Sequence, residues 1–165
     1  TIEPGEVDAV VIAGMGGLLI AEILGDDPER SKSYRKLILQ PRNAPDKLRA
    51  WLLENGFSIQ DESLVRERKY ICEIILAVPG PGQETGVVGN HQGRALKPDD
   101  IDLEISPILF RKKDPLLVEF IENKIRIESK VCSAVQAGAV KDKAEKLNKS
   151  TERIELLKEL RKRSE

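Results

Sequence analysis

Three glycines, Gly14, Gly16 and Gly17, surround Met15 directly after the apolar run at 7–13. Such a run of β-branched residues is typical of a strand buried on both faces of a parallel sheet. The turn after a parallel strand lies at the carboxyl edge of the sheet, where α/β proteins bind ligands. Glycine lets a ligand approach the backbone, and the next helix offers N–H groups. Two interpretations are open: a ligand-binding turn, or a tight turn that needs only the backbone freedom of glycine.

A dinucleotide site is the first functional candidate for a glycine-rich turn after a strand. Its G-x-G-x-x-G spacing would require a third glycine at Leu19. It would also require an acidic residue near the end of the next strand, where this sequence has Gln40 followed by Pro41. Both requirements fail, so the sequence argues against an NAD site.

The elements that position the turn alternate between strand and helix in the first half of the chain. Apolar spacing predicts strands at 7–13, 36–40, 57–65 and 70–78, and helices at 18–25 and 44–54, with a hairpin turn at 66–69 and a polar loop or short helix at 26–33. This alternation favours a parallel pair joined by a helix, followed by an antiparallel pair.

The second half of the chain changes composition twice. Residues 79–100 are rich in glycine, proline and polar residues, which predicts a flexible excursion that includes His91, the single histidine. From Leu116 onward, apolar residues at three- and four-residue steps predict two helices with a break near Gly138, as an antiparallel hairpin or a coiled coil. We therefore predict domains at 1–78 and 115–165, joined by a link at 79–114.

Composition limits the partners and the compartment. The net charge of −1 gives no overall attraction to nucleic acid, although Lys and Arg exceed Asp and Glu after Val140. Neither a membrane-spanning run nor a signal peptide is visible, and one histidine predicts an exposed side chain and no metal site. Cys72 and Cys132 are far apart in sequence, so we expect unpaired core cysteines and a cytoplasmic location.

The chain resembles the bacterial tRNA adenine-N1 methyltransferase family that methylates adenine 22. The resemblance rests on four stretches at family-like spacings, VDAVVIAGMGGLLIAEIL, KLILQP, LRAWLLENGFSIQDESLV and KYICEIILA. ISPILF and DPLLVEFIENKI are similar to the family's link into a C-terminal helical domain. The resemblance implies an α/β fold: part of a class I, Rossmann-like methyltransferase sheet followed by a helical hairpin or coiled coil. It also implies S-adenosyl-L-methionine as cofactor and tRNA as partner.

The resemblance places the start of the chain at the family's fourth strand. The family's acidic, glycine-containing cofactor loop would precede that strand, and it is not found in these residues. We therefore expect a C-terminal portion of the enzyme that binds S-adenosylmethionine weakly or not at all and is inactive by itself. The alternative is a non-catalytic module, built on a truncated methyltransferase, that binds tRNA or a protein through its helical hairpin.

By resemblance, the glycine turn borders the methyl group and the target atom. The residues expected at the transfer position are Gly14, Met15, Gly16 and Gly17. The residues expected at the cofactor are Gly14, Met15, Gly16 and Gln40, and those at the substrate are Gln40, Pro41, Arg42 and Tyr70. Neutral adenine N1 has a lone pair and no proton, so transfer to it needs orientation rather than a strong base.

Each candidate side chain also has a structural interpretation. Gln40 is either a ligand to the base or cofactor, or a strand-ending amide satisfied by backbone. Tyr70 either stacks on a flipped base or is a half-buried strand aromatic. Arg42 and Asn43 depart from the family, which often has Asn nearer the proline. Asp8, at the opposite end of the strand, is predicted to be structural, and the C-terminal Lys and Arg residues contact tRNA phosphates or form a solvated helix face.

Overall fold

A computed structural model describes residue 3 and residues 6–80, 100–138 and 142–164. The chain divides into two compact units, Thr1–Lys112 and Lys113–Glu165, which are described separately. The first unit contains four strands, β1 (Ala9–Met15), β2 (Lys36–Pro41), β3 (Phe57–Glu67) and β4 (Tyr70–Pro79), in the sheet order β1-β2-β4-β3.

The strand pairing combines one parallel pair with two antiparallel pairs. β1 runs parallel to β2 with Val10 opposite Leu37, while β4 pairs antiparallel with both β2 and β3. The predicted parallel pair and the predicted hairpin are therefore both confirmed. β3 is continuous across the region where the apolar pattern is interrupted, because a register shift between Ile59 and Asp61 absorbs one extra residue.

Helices α1 (Gly17–Asp26) and α3 (Pro45–Glu54) pack on one face of the sheet, and α2 (Pro28–Ser33) is the short helix expected after α1. α3 begins at Pro45, whose ring fixes a helical φ at the first turn. It ends at Asn55, whose side-chain amide donates to the carbonyl of Trp51. The core between helices and sheet is aliphatic and includes Ile20, Leu24, Leu37, Leu39, Leu48, Leu52 and Ile75.

The burial predicted for β1 is wrong. Val10 and Ile12 pack against the core, but Val11 is 65% exposed and no residue of β1 is fully buried. Leu18, Leu19 and Ile23 on α1 are also exposed. The reason is topological: β1 is the edge strand, and among the described residues the core forms on only one of its faces.

Two short helices, which the sequence pattern did not predict, occupy the described end of the predicted link. These are α4 (Ile101–Glu104) and α5 (Pro107–Lys112), and they bury Leu103, Ile108 and Leu109. Lys112 on α5 donates to both carboxylate oxygens of Asp61 on β3, at 2.8 and 2.9 Å. Most of the predicted excursion at 79–100, including His91, lies outside the described residues.

The second unit is an antiparallel pair of helices, α6 (Leu117–Ala137) and α7 (Lys143–Arg163). Arg161 on α7 pairs with Glu122 on α6 at 2.7 Å, and Arg153 pairs with Glu128 at 3.4 Å. Because residue numbers rise along α7 as they fall along α6, the helices run in opposite directions, which confirms the predicted hairpin. Coiled-coil geometry stays a prediction.

The composition also led to expectations about the cysteines, membrane-spanning helices and metal sites. Cys72 and Cys132 are free thiols, but both are half-buried rather than core residues. In the described part of the chain, no helix is both long and apolar enough to cross a membrane. Within those same residues, no three His, Cys, Asp or Glu side chains converge in a way that would hold a metal ion.

Candidate functional site

The glycine turn begins with a bulge at the carboxyl end of β1. Ala13 lies opposite Gln40 and Met15 opposite Pro41, so Gly14 is the extra residue that the ladder leaves out. Gly14 has φ +77°, a left-handed conformation that L side chains rarely adopt. Its N–H donates to the side-chain Oε1 of Gln40 at 2.8 Å. The bulge is thus held to β2 by a side chain in place of a ladder hydrogen bond.

The rest of the turn is tied to the loop after β2. The N–H of Arg42 donates to the carbonyl of Met15 at 2.7 Å, and the N–H of Gly17 donates to the carbonyl of Asn43 at 2.9 Å. A Cβ on Gly17 would collide with the carbonyl oxygen of Ala44 and lie 2.9 Å from that of Asn43. Glycine is therefore required at this position by the close approach of two backbones.

A side chain rather than backbone approaches the neighbouring glycine. A Cβ on Gly16 would lie 2.9 Å from the Oδ1 of Asn43. Ala44, the residue before α3, adopts the left-handed conformation with φ +47°, which is costly for a residue with a Cβ. The tight-turn interpretation therefore explains Gly17. At Gly16 the Cβ would meet only the far end of the exposed Asn43 side chain, which can move, and at Gly14 it would meet nothing within 4 Å.

A cleft of about 700 Å³ opens at this edge of the sheet, beside Gly14. β2 pairs with β4 only as far as Ile75, so the earlier residues of β4 and their partners on β3 continue past the end of β2. The cleft lies between this projecting hairpin and the glycine turn. Its lining includes Gly14, Gln40, Arg42, Tyr70, Cys72 and Glu73.

The structure brings most of the predicted site residues together. Gly14, Gln40, Pro41, Arg42 and Tyr70 all line the cleft. The lining does not include Met15, Gly16 or Gly17. Met15 and Gly17 instead hydrogen-bond to the β2–α3 loop, and the carbonyl of Gly16 accepts from the N–H of Ile20 at the start of α1.

The structural interpretation given to each candidate side chain fits the structure for Gln40 and Asp8 but not for Tyr70. The Oε1 of Gln40 is satisfied by a backbone N–H, as its structural interpretation expects. Tyr70 is 63% exposed, so the half-buried interpretation is wrong. Asp8 is exposed at the opposite end of β1, where it pairs with Arg35 at 3.2 Å.

The hairpin wall of the cleft carries acidic groups and a thiol. Cys72 lies with its Sγ 3.7 Å from the Oε2 of Glu67. Burial raises the pKa of the Cys72 thiol, and the carboxylate of Glu67 raises it further. The thiol is therefore held in its protonated, weakly nucleophilic form.

A buried ionic cluster, formed by Arg49, Glu62 and Glu73, lies behind the same wall and was not predicted. The Nε of Arg49 on α3 donates to the Oε1 of Glu62 on β3 at 2.7 Å, and its NH2 group donates to the Oε2 of Glu73 on β4 at 2.5 Å. A third donation, at 2.8 Å, reaches the carbonyl of Leu103. A single acidic residue inside the apolar run YICEIILAV was the available signal, because an isolated charge in a core strand requires a buried partner.

The cluster contains two carboxylates and one guanidinium, all almost fully buried. Burial raises the pKa of Glu62 more than Arg49 lowers it. Burial by itself would lower the pKa of Arg49, but the two carboxylates raise it above its ordinary value, so the guanidinium stays charged. Glu73 is the one member of the ionic cluster that lines the cleft.

The parallel pair, the glycine turn and the cleft beside it define a Rossmann-like α/β protein with a cleft at the carboxyl edge of its sheet. The family model for TrmK, described as tRNA (adenine(22)-N(1))-methyltransferase, matches residues 1–159, and the chain belongs to that family.

Individual relatives agree with this family. The chain is 28% identical over 160 residues to the tRNA (adenine(22)-N(1))-methyltransferase of Bacillus subtilis, covering 96% of this chain and 64% of that protein. It superposes on the crystal structure of the B. subtilis m1A22 tRNA methyltransferase TrmK with a TM-score of 0.74 at 28% identity, over 96% of this chain and 64% of the other.

A second solved structure contains a ligand. It is that of Streptococcus pneumoniae Sp1610 in complex with S-adenosyl-L-methionine, with a TM-score of 0.63 at 27% identity, over 88% of this chain and 59% of the other. This chain therefore spans less than two thirds of the length of the relatives it matches.

Proposed function

We propose that this chain forms the methyl-transfer edge of an S-adenosylmethionine-dependent enzyme that methylates N1 of an adenine in tRNA. The observation that carries the proposal is the cleft at the carboxyl edge of the sheet, bordered by the bulged Gly14. Membership of the TrmK family and the S-adenosyl-L-methionine bound to the S. pneumoniae relative support it. Such an enzyme would act in the cytoplasm, where it meets tRNA.

Methyl transfer to adenine N1 requires no acid or base among the side chains of the cleft. When bound, S-adenosylmethionine supplies a methyl carbon whose bond to sulfur breaks, with the electron pair leaving on sulfur, as the lone pair of adenine N1 forms the new bond. The positive charge moves from sulfur to the purine, and no proton leaves N1. The residues of the cleft therefore need to orient two ligands and exclude water, and a general base is not required.

Gly14 fits a position in contact with the cofactor. A Cβ there would point into open space rather than protein, so the backbone at Gly14 is accessible to a ligand. Gln40 is proposed to serve this position by holding the Gly14 N–H, and Met15 and Gly17 by fixing the turn to the β2–α3 loop. Gly16 is proposed to serve it as the N-cap residue of α1. Their proposed part in catalysis is thus positioning.

The target adenine is proposed to enter from the hairpin side of the cleft. Tyr70 is exposed at the tip of the hairpin and offers a ring on which an extruded base can stack. Pro41 and Arg42 border the same space, and Arg42 supplies a positive charge near the phosphate groups of the substrate.

The two units are proposed to divide the work. The domain at 1–78 would carry the transfer site, with a link at 79–114, and the helices at 115–165 would contact tRNA. Arg153 and Arg161 pair with acidic residues of α6, so the phosphate contacts would fall to exposed lysines of α7 such as Lys158 and Lys162.

A non-catalytic binding module is the second candidate function. The exposed apolar side chains of Val11 on β1 and Leu18 and Leu19 on α1 favour it, because exposed apolar surface is suited to a partner. The two candidate functions differ in whether methyl transfer takes place in the cleft.

A chimera separates these candidates. The residues of this chain would replace the matched region of the B. subtilis relative, and methyl transfer to a tRNA transcript with adenine at position 22 would be measured. We expect 1-methyladenine at that position, and none in a control transcript with guanine there. A folded chimera that binds S-adenosylmethionine and tRNA but transfers no methyl group would contradict the proposal and favour the binding module.

A further inference from the structure

The buried ionic cluster and the cleft share one residue, Glu73. Its side chain is 10% exposed, and Glu73 belongs to the lining of the cleft, whereas Arg49 and Glu62 do not. The cluster therefore presents one carboxylate to the space in which the proposed function places the adenine.

The two oxygens of Glu73 have different environments. Oε2 accepts a hydrogen bond from Arg49, and no described residue donates to Oε1. An ionised carboxylate accepts hydrogen bonds on both oxygens and donates none, so Oε1 is an acceptor available to a ligand. Arg49 fixes its orientation, because the same guanidinium is held by Glu62 and by the carbonyl of Leu103.

We propose that Glu73 is a specificity-determining residue of the cleft: its Oε1 accepts a hydrogen bond from the exocyclic amino group of the target adenine, and Arg49 is the positioning residue that aims it. The inference rests on the proposed function. The 6-amino group is adjacent to N1 on the purine ring, so a carboxylate that accepts from it also lies near the atom that is methylated. A 6-oxopurine presents an acceptor at that place, which the carboxylate repels.

A fixed negative charge at this place also suits the reaction. Methylation at N1 leaves the purine positively charged, and a carboxylate beside the amino group attracts that charge as it develops. Because Glu73 is already held in position by Arg49, little reorganisation is needed when the charge appears.

The test is a change of preference between two nucleotides that differ at position 6 of the base. Adenosine 5′-monophosphate and inosine 5′-monophosphate would be titrated into the full chain, with the amide resonances of Gly14 and Ile71 followed by NMR. Both residues line the cleft, so their shifts localise the binding. We expect wild type to prefer the adenine nucleotide by about tenfold, the contribution of one charge-assisted hydrogen bond.

The decisive variant is E73Q. Its carbonyl oxygen would accept from Arg49 in place of Oε2, which turns the –NH₂ group toward the cleft and replaces an acceptor by a donor. We expect the preference to reverse toward the inosine nucleotide. E54Q is the control, since it makes the same change at an exposed residue outside both the ionic cluster and the cleft, and it should leave the preference unchanged.

A second variant tests the positioning role of Arg49. R49K keeps the positive charge but loses the planar fork that reaches three acceptors. We expect it to retain nucleotide binding with the adenine preference reduced toward equality. A merely structural role would lower the thermal midpoint of R49K and leave the preference intact.

The outcomes distinguish this inference from the proposed function. If wild type prefers the adenine nucleotide and E73Q keeps that preference, Glu73 does not read the base and the inference fails while the base site stands. If neither nucleotide shifts the cleft resonances of wild type, the proposed base site itself fails, and the inference fails with it.

Discussion

Substitution of Gly17 by alanine tests the contact that holds the glycine turn in place. The added Cβ would collide with the carbonyl oxygen of Ala44 and sit 2.9 Å from that of Asn43. Both atoms are backbone, so the β2–α3 loop must shift and the hydrogen bond from Gly17 to Asn43 is strained or lost. Overpacking costs about 1–3 kcal/mol and a lost hydrogen bond about 1 kcal/mol, so we expect G17A to lose about 2–4 kcal/mol of stability.

Urea unfolding followed by the fluorescence of Trp51 measures this loss, because Trp51 is the single tryptophan and stacks on Phe57 in the core region. E22A is the control on the same helix. Glu22 is exposed and alanine is a strong helix former, so E22A should change stability by less than about 1 kcal/mol. If G17A unfolds at the same urea concentration as wild type, the close approach between turn and loop is wrong.

Three further predictions concern stability and reactivity around the cleft. A44G should stabilise the chain by about 0.5–1 kcal/mol in urea unfolding, because glycine adopts the left-handed conformation without the penalty of a Cβ; a loss of stability would contradict the assigned φ of Ala44. Burial raises the pKa of Glu62 in the folded state, so the stability linked to its proton is fully present below its unfolded pKa and is lost as pH rises through the folded pKa. The unfolding midpoint of E62Q minus that of wild type should therefore increase from acid to neutral pH. A midpoint difference that stays constant or decreases over this range would refute the prediction. Because Glu67 adds to the burial that raises the pKa of Cys72, E67Q should speed alkylation of Cys72 by iodoacetamide, measured by peptide mass spectrometry with Cys132 as internal control; an unchanged rate would exclude the effect of the carboxylate.

The local elements were predictable because each has a strong local signal. β2 is an apolar run ended by Pro41, and α3 has a proline at its start and Asn55 at its end. The glycine turn was predictable for the same reason, since glycines directly after an apolar strand indicate a turn at the carboxyl edge of the sheet.

Features that depend on tertiary partners were not predictable. The apolar run of β1 does not by itself reveal that only one of its faces is covered, because that is set by packing between distant segments. Tyr70 resembles any strand aromatic in sequence, and its exposure follows from the extension of the hairpin beyond β2. Arg49 lies in an amphipathic helix where a charge is ordinarily exposed, and its burial depends on acidic residues 13 and 24 positions away.

The proposed site is tested most directly by a structure of the chimera with S-adenosylhomocysteine and a tRNA hairpin that contains the target adenine. We expect the cofactor sulfur and adenine N1 to meet in the cleft between Gly14 and the β3–β4 hairpin, with the adenine amino group toward Glu73. Electron density for the sulfur and the adenine at any other surface, with this cleft occupied by solvent, would contradict it.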